Sequence, residues 1–255
     1  MVSSRNSLVI FISLFVIYFF GALTIQTTAM AGWTAGDSLP HSLLQSLCTI
    51  LALFCGVAAL YRFYSGEQRS PMLLFLGVGF SATALIDAYH AFVTATWFIE
   101  TFPNIPPSIA EWSWLVTRLF VSVLFVLGLF LENSSHKKDV NPKMVYFSIS
   151  ILVAITFLIF LFLRVPYPIY PYQLLARPLE LIPGFFFLIA LIGYFRDGAW
   201  KTNRMAFWLI LFLITSFCTQ CFFNDLAGYV HDFMYLVAHI LKMVSYAMVY
   251  IAVSE

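Results

Sequence analysis

The chain has 255 residues, 62% of them hydrophobic and 10% charged, with 28 Phe, 13 Tyr and a formal net charge of +1. Soluble domains average about 25% charged residues, so the composition excludes an ordinary soluble enzyme and describes an integral membrane protein. The basic residues are too dispersed for a nucleic-acid footprint, and the four cysteines, Cys48, Cys55, Cys218 and Cys221, lie inside apolar runs and form no disulfide framework.

Eight apolar stretches can each supply the roughly 20 residues of a spanning helix, at about 7–26, 41–63, 72–95, 113–131, 144–163, 178–195, 205–223 and 231–252. They predict a single all-α domain over residues 1–255, a polytopic transmembrane helical bundle. Ala29-Met30-Ala31 has the look of a signal-cleavage site. The apolar core before it exceeds the ~7–15 residues usual for a signal, so an uncleaved first span is expected.

Orientation follows from Lys and Arg in the short loops. With the N-terminus inside, the cytoplasmic segments hold nine basic residues, Arg5, Arg62, Arg69, Lys137, Lys138, Lys143, Arg196, Lys201 and Arg204, against two outside, Arg164 and Arg177. The bias places both termini in the cytoplasm. The exterior loops, Trp97 to Trp112 and Arg164 to Arg177, are Pro-rich and aromatic, which predicts short interfacial covers. The cytoplasmic loops are small and polar, too small to house an active or output domain.

Two basic residues lie within spans, Arg118 in the fourth and Lys242 in the eighth. Acidic partners are available in Asp87, Glu180 and Asp232, with Asp225 at the last exterior turn. Asp232, Tyr235, His239, Lys242 and Tyr246 recur at steps of three or four and share one face of the last helix. Asp87 with His90, and Trp114 with Arg118, are likewise on common faces. On the expected topology Asp87, His90, Arg118, Glu180 and Asp232 lie in the outer half of the membrane, where His41 and Gln45 also enter. Ionisable groups inside a bilayer are costly and usually face protein or a polar cavity. Such pairs can serve helix packing alone, but so many at one depth point to a ligand pocket.

The histidines also admit a haem or transition-metal reading through His41, His90 and His239. The sequence leaves their mutual distances open and has no close H-x-x-x-H signature, so no cofactor is expected. Cys218-Thr-Gln-Cys221 has C-x-x-C spacing but sits in an apolar span, where packing is the expected role. Pro183-Gly184 is expected to kink the sixth span and open room beside Glu180.

The succession His41, Ile86-Asp87-Ala88-Tyr89-His90, Trp114 with Arg118, Glu180, His231-Asp232-Phe233 and His239-Ile240-Leu241-Lys242 covers nearly the whole chain. In it the chain resembles the third type of bacterial and archaeal membrane-associated sensor domain, or MASE. The resemblance implies an input module at the N-terminus of a histidine kinase or of a cyclic di-GMP cyclase or phosphodiesterase. It also implies a homodimer through the attached cytoplasmic domain.

The expected function is therefore a multi-pass sensory domain of a bacterial inner membrane, with the lipid bilayer and an unknown small ligand as its partners. The ligand-binding set is His41, Asp87, His90, Trp114, Arg118, Glu180, Asp232, His239 and Lys242, with Arg118 and Lys242 meeting an anion. No nucleophile-base pair, phosphate loop or metal triad is apparent, so no enzyme is expected within these residues. A haem or metal redox protein and a small transporter are the alternatives.

Overall fold

The protein, seen in a computed structural model, is described over residues 4–28, 39–66, 70–104, 106, 108–133, 140–162, 176–224 and 232–255. The expectations placed on Ala29–Ala31, Arg69, Lys137, Lys138, Arg164, Asp225 and His231 lie outside these residues. Among the described residues the elements are α1 (Ser4–Thr27), α2 (Leu39–Ser65), α3 (Pro71–Val93), α4 (Thr96–Thr101), α5 (Ser108–Asn133), α6 (Pro142–Phe162), α7 (Leu181–Asp197), α8 (Arg204–Cys218) and α9 (Phe233–Ser254). All but the short α4 are long and apolar enough to cross a membrane. In doing so α7 is extended by the 3-10 turn Pro178–Glu180, and α8 by the π-helical turn Thr219–Asn224.

The hydrocarbon solvent dictates this choice, because a helix satisfies its backbone N–H and C=O groups within one segment. Gly198, at φ 76°, ends α7 in the left-handed conformation that a glycine adopts without a Cβ clash. The Asn203 side chain then accepts from Ala206 N at 3.4 Å and starts α8.

One local expectation is corrected. Helix α5 begins at Ser108, ahead of the expected 113, which brings Glu111 into its first turn. Between α3 and α5, α4 forms because Phe98 buries itself with Val93 and Ile109. Pro183 and Gly184 lie in the first turn of α7, where proline is tolerated, and the helix continues to Asp197. A Cβ on Gly184 would stand 2.7 Å from Cys221 Sγ, so the glycine allows the close approach of α7 to the turn that extends α8.

Pairwise contacts set the direction of each helix. Cys48 Sγ to His239 O, Cys55 Sγ to Tyr246 O and Arg62 Nη1 to Val253 O share one sequence offset of 191, so α2 and α9 run parallel. Gly56 meets Ser81 and Gly77 meets Leu60, so α2 and α3 are antiparallel. Gly79 against Leu124 and His90 against Ser113 do the same for α3 and α5. These small residues allow close helix approach where apolar burial gives no driving force in lipid. Helix α1 packs on α8 through Phe11–Phe207 and Tyr18–Thr215. The outer faces of α1 and α6 carry exposed Ile12, Ile17, Phe20, Phe147, Ile151 and Leu158, as lipid contact requires. The alternating directions bring the starts of α2, α5, α7 and α9 and the ends of α3 and α8 to one end of the bundle.

Candidate functional site

All nine residues expected to bind ligand come to that end, and every one is buried. The polar side chains at that end form three groups, with three histidines beside them.

The first is centred on Asp87, near the end of α3. Lys242 Nζ of α9 donates to Asp87 Oδ1 at 2.6 Å and to Gln45 Oε1 of α2 at 3.2 Å. The Tyr246 hydroxyl, one turn on, donates to Asp87 Oδ2 at 3.2 Å. Gln45 Nε2 completes the link by donating to the Asp87 carbonyl at 3.4 Å. Both carboxylate oxygens are thus bonded, and the ammonium also lies 4.7 Å from the Trp114 ring centroid. A buried ion pair is tolerable only when its remaining donors and acceptors are met in this way.

In the second group Arg118 and Glu180 are joined through Gln220. Arg118 Nε donates to Gln220 Oε1 at 3.1 Å, and the same amide donates through Nε2 to Glu180 Oε2. Gln220 belongs to the π-helical turn at the end of α8. Such turns rotate side chains out of the α-helical register and often mark functional sites. Arg118 is fully buried with its guanidinium 5.0 Å from the Phe187 centroid, yet its Nη1 and Nη2 have no hydrogen-bond partner among the described residues.

Sequence reasoning missed the third group. Arg177, counted as an exterior loop cation, is 2% exposed and forms an ion pair with Glu111 in the first turn of α5. Its guanidinium also lies 4.6 Å from the Tyr235 centroid. Burial works against the charge on Arg177, but Glu111, Tyr235 and Glu180 outweigh it and hold the guanidinium above its ordinary value. Glu111 escaped notice because it precedes the predicted span. Gln220 escaped because it lies inside the C-x-x-C, although an amide in an apolar span is itself a signal.

Beside these groups stand the histidines. His41 of α2, His90 of α3 and His239 of α9 are all buried, and one ligating nitrogen from each lies within 4.8 Å of the other two. Ring centroids are 4.4 Å apart for His41–His239, 5.4 Å for His41–His90 and 6.2 Å for His90–His239. The hydrogen bonds assign the tautomers. His239 Nδ1 is 2.9 Å from the Tyr235 carbonyl, which can only accept, so Nδ1 carries the proton. Ser113 Oγ donates to Ala110 O at 2.8 Å, which leaves it to accept from His90 Nδ1, also at 2.8 Å. Each of these rings therefore keeps a bare lone pair on Nε2, and neither Nε2 has a hydrogen-bond partner among the described residues.

Two expected participants have structural duties. Asp232 caps α9, its Oδ1 accepting from Tyr235 N at 2.7 Å. Trp114 packs its ring 4.2 Å from that of His239 and separates the histidines from Lys242. Cys218 and Cys221 form no disulfide among the described residues, and Cys218 lies within the core.

A family model described as a membrane-associated sensor domain, MASE3, matches residues 37–255. The matched region includes every element of the site and leaves out α1. Searches of curated proteins and of solved structures gave no match. The chain belongs to the MASE3 family: it is a multi-pass membrane protein whose matched region is a sensor domain, and no enzymatic activity is indicated within it.

Proposed function

We propose that this MASE3 domain is the input module of a bacterial inner-membrane receptor with both termini in the cytoplasm. It detects a small ligand from the periplasm or the bilayer at the polar end of the bundle. The state of that end is passed along α9 to a kinase or cyclic di-GMP domain following residue 255, which dimerises the receptor. One observation carries the reading: the buried Asp87–Lys242 pair ties α3 to α9, the helix that leads toward residue 255.

Arg118 is where an anionic ligand would be held, since a carboxylate can take both of its Nη groups at once. Asp87 orients Lys242, and Glu180 orients Arg118 through Gln220. A ligand that bonds Arg118 draws on the same network and shifts α9 according to its differential affinity for the two arrangements.

The test is a fusion of the chain to a diguanylate cyclase domain after Glu255, read as cellular cyclic di-GMP. Arg118→Ala and Lys242→Met should change the output severalfold per receptor present in the membrane. Leu85→Ala, on the lipid-facing surface, should leave it alone. Output equal to the parent in both site variants would refute the assignment.

A further inference from the structure

We infer that His41, His90 and His239 form a binding site for one late first-row transition-metal ion, copper or zinc, held by three neutral imidazole nitrogens. The inference deepens the sensory reading above, on which its signalling consequence rests.

The argument begins with the two lone pairs. A buried polar atom without a partner costs stability, and here His90 and His239 each direct Nδ1–H into a protein acceptor and leave Nε2 bare. Two lone-pair acceptors cannot bond to one another. An electron-pair acceptor between them satisfies both, and His41 adds a third ring within the same 4.8 Å. The bonds at Nδ1 have the pattern that orients metal-ligating histidines: a carbonyl behind His239 and a carbonyl-anchored serine behind His90.

The donor set selects the ion. Three imidazoles without a carboxylate or thiolate suit copper or zinc, and give calcium or magnesium none of the oxygen ligands they require. Metal–nitrogen bonds of about 2.0–2.1 Å place three such nitrogens roughly 3.3–3.6 Å apart. Nitrogens now up to 4.8 Å apart must therefore close in by small ring and helix movements. The three ligands sit on α2, α3 and α9, the same helices that the Asp87–Lys242–Gln45 cluster joins. Metal binding would draw α9 toward the other two, one turn from Lys242. Haem fits less well, because Trp114 and Tyr235 pack at 4.2 and 4.5 Å from the His239 ring and occupy the flanks a macrocycle needs.

The test uses the full chain, purified in detergent through a histidine-free tag and titrated separately with Cu(I) and Zn(II) against a chelator of known affinity. Bound metal is counted by mass spectrometry and its ligands are identified by X-ray absorption. One ion per chain with nitrogen-only coordination is expected. Binding should weaken at least tenfold in His90→Gln and His239→Gln. Ser113→Ala touches no ligand nitrogen, keeps the fold if a histidine variant does not, and should weaken binding by about 10–100-fold. Failure of both metals to bind stoichiometrically, binding unaffected by Ser113→Ala and the histidine variants, or a Soret band would overturn the site. Its failure is separable from that of the sensory reading. Output that responds to Arg118→Ala in a protein that binds no metal removes the metal site alone, whereas stoichiometric metal with an unresponsive fusion removes the sensory reading alone.

Discussion

Lys242 Nζ stands 2.6 Å from Asp87 Oδ1, and neither side chain has any exposed surface. Removing one partner of such a pair strands the other charge, at about 3–5 kcal/mol. Asp87→Asn and Lys242→Met should each lower the unfolding free energy in mixed micelles by about that much. The double variant should regain much of the loss, since it leaves no unpaired ion. Additive losses in the double variant would show that the two groups are not coupled in the folded protein.

Glu111 and Arg177 form the second buried ion pair and join the first turn of α5 to the residue preceding Pro178. Glu111→Gln should destabilise by about 3–5 kcal/mol, measured as a fall in the thermal midpoint. The guanidinium sits above its ordinary value, so its contribution is present below the unfolded value and lost only above the folded one. Arg177 should therefore add no step to the stability profile between about pH 5 and pH 9. A step that disappears in Arg177→Met would contradict this.

Helix approach gives an independent check on the packing. A Cβ on Gly56 would lie 2.5 Å from Ser81 Oγ and 2.8 Å from the Ser81 backbone nitrogen. The backbone atom cannot rotate away, so Gly56→Ala should cost about 1–3 kcal/mol. Gly21 has nothing within 4 Å, and Gly21→Ala should stabilise by about 0.4–1 kcal/mol through chain entropy. Equal midpoints for the two variants would place the α2–α3 contact elsewhere.

Much of the architecture was legible because lipid leaves the backbone few options. Apolar runs of spanning length marked all eight long helices to within a few residues, except at the start of α5. The alternation of spans also placed Asp87, His90, Arg118, Glu180 and Asp232 at one end. Reading Arg177 as a loop cation did not reveal its burial, which depends on Glu111, 66 residues away. Pro183 stands in the first turn of α7, where a proline costs no helix donor, and the neighbouring glycine serves contact with Cys221.

The sequence by itself determined the solvent, the number of long helices among the described residues and the shared face of α9. Periodicity and hydropathy are local properties, and they suffice for these. Only the tertiary structure decided that Asp87 takes Lys242, that Gln220 stands between Arg118 and Glu180, and that three histidines from three helices converge. The reason is geometric: a residue's depth follows from its position along one helix, whereas its partner follows from the rotation and contact of several.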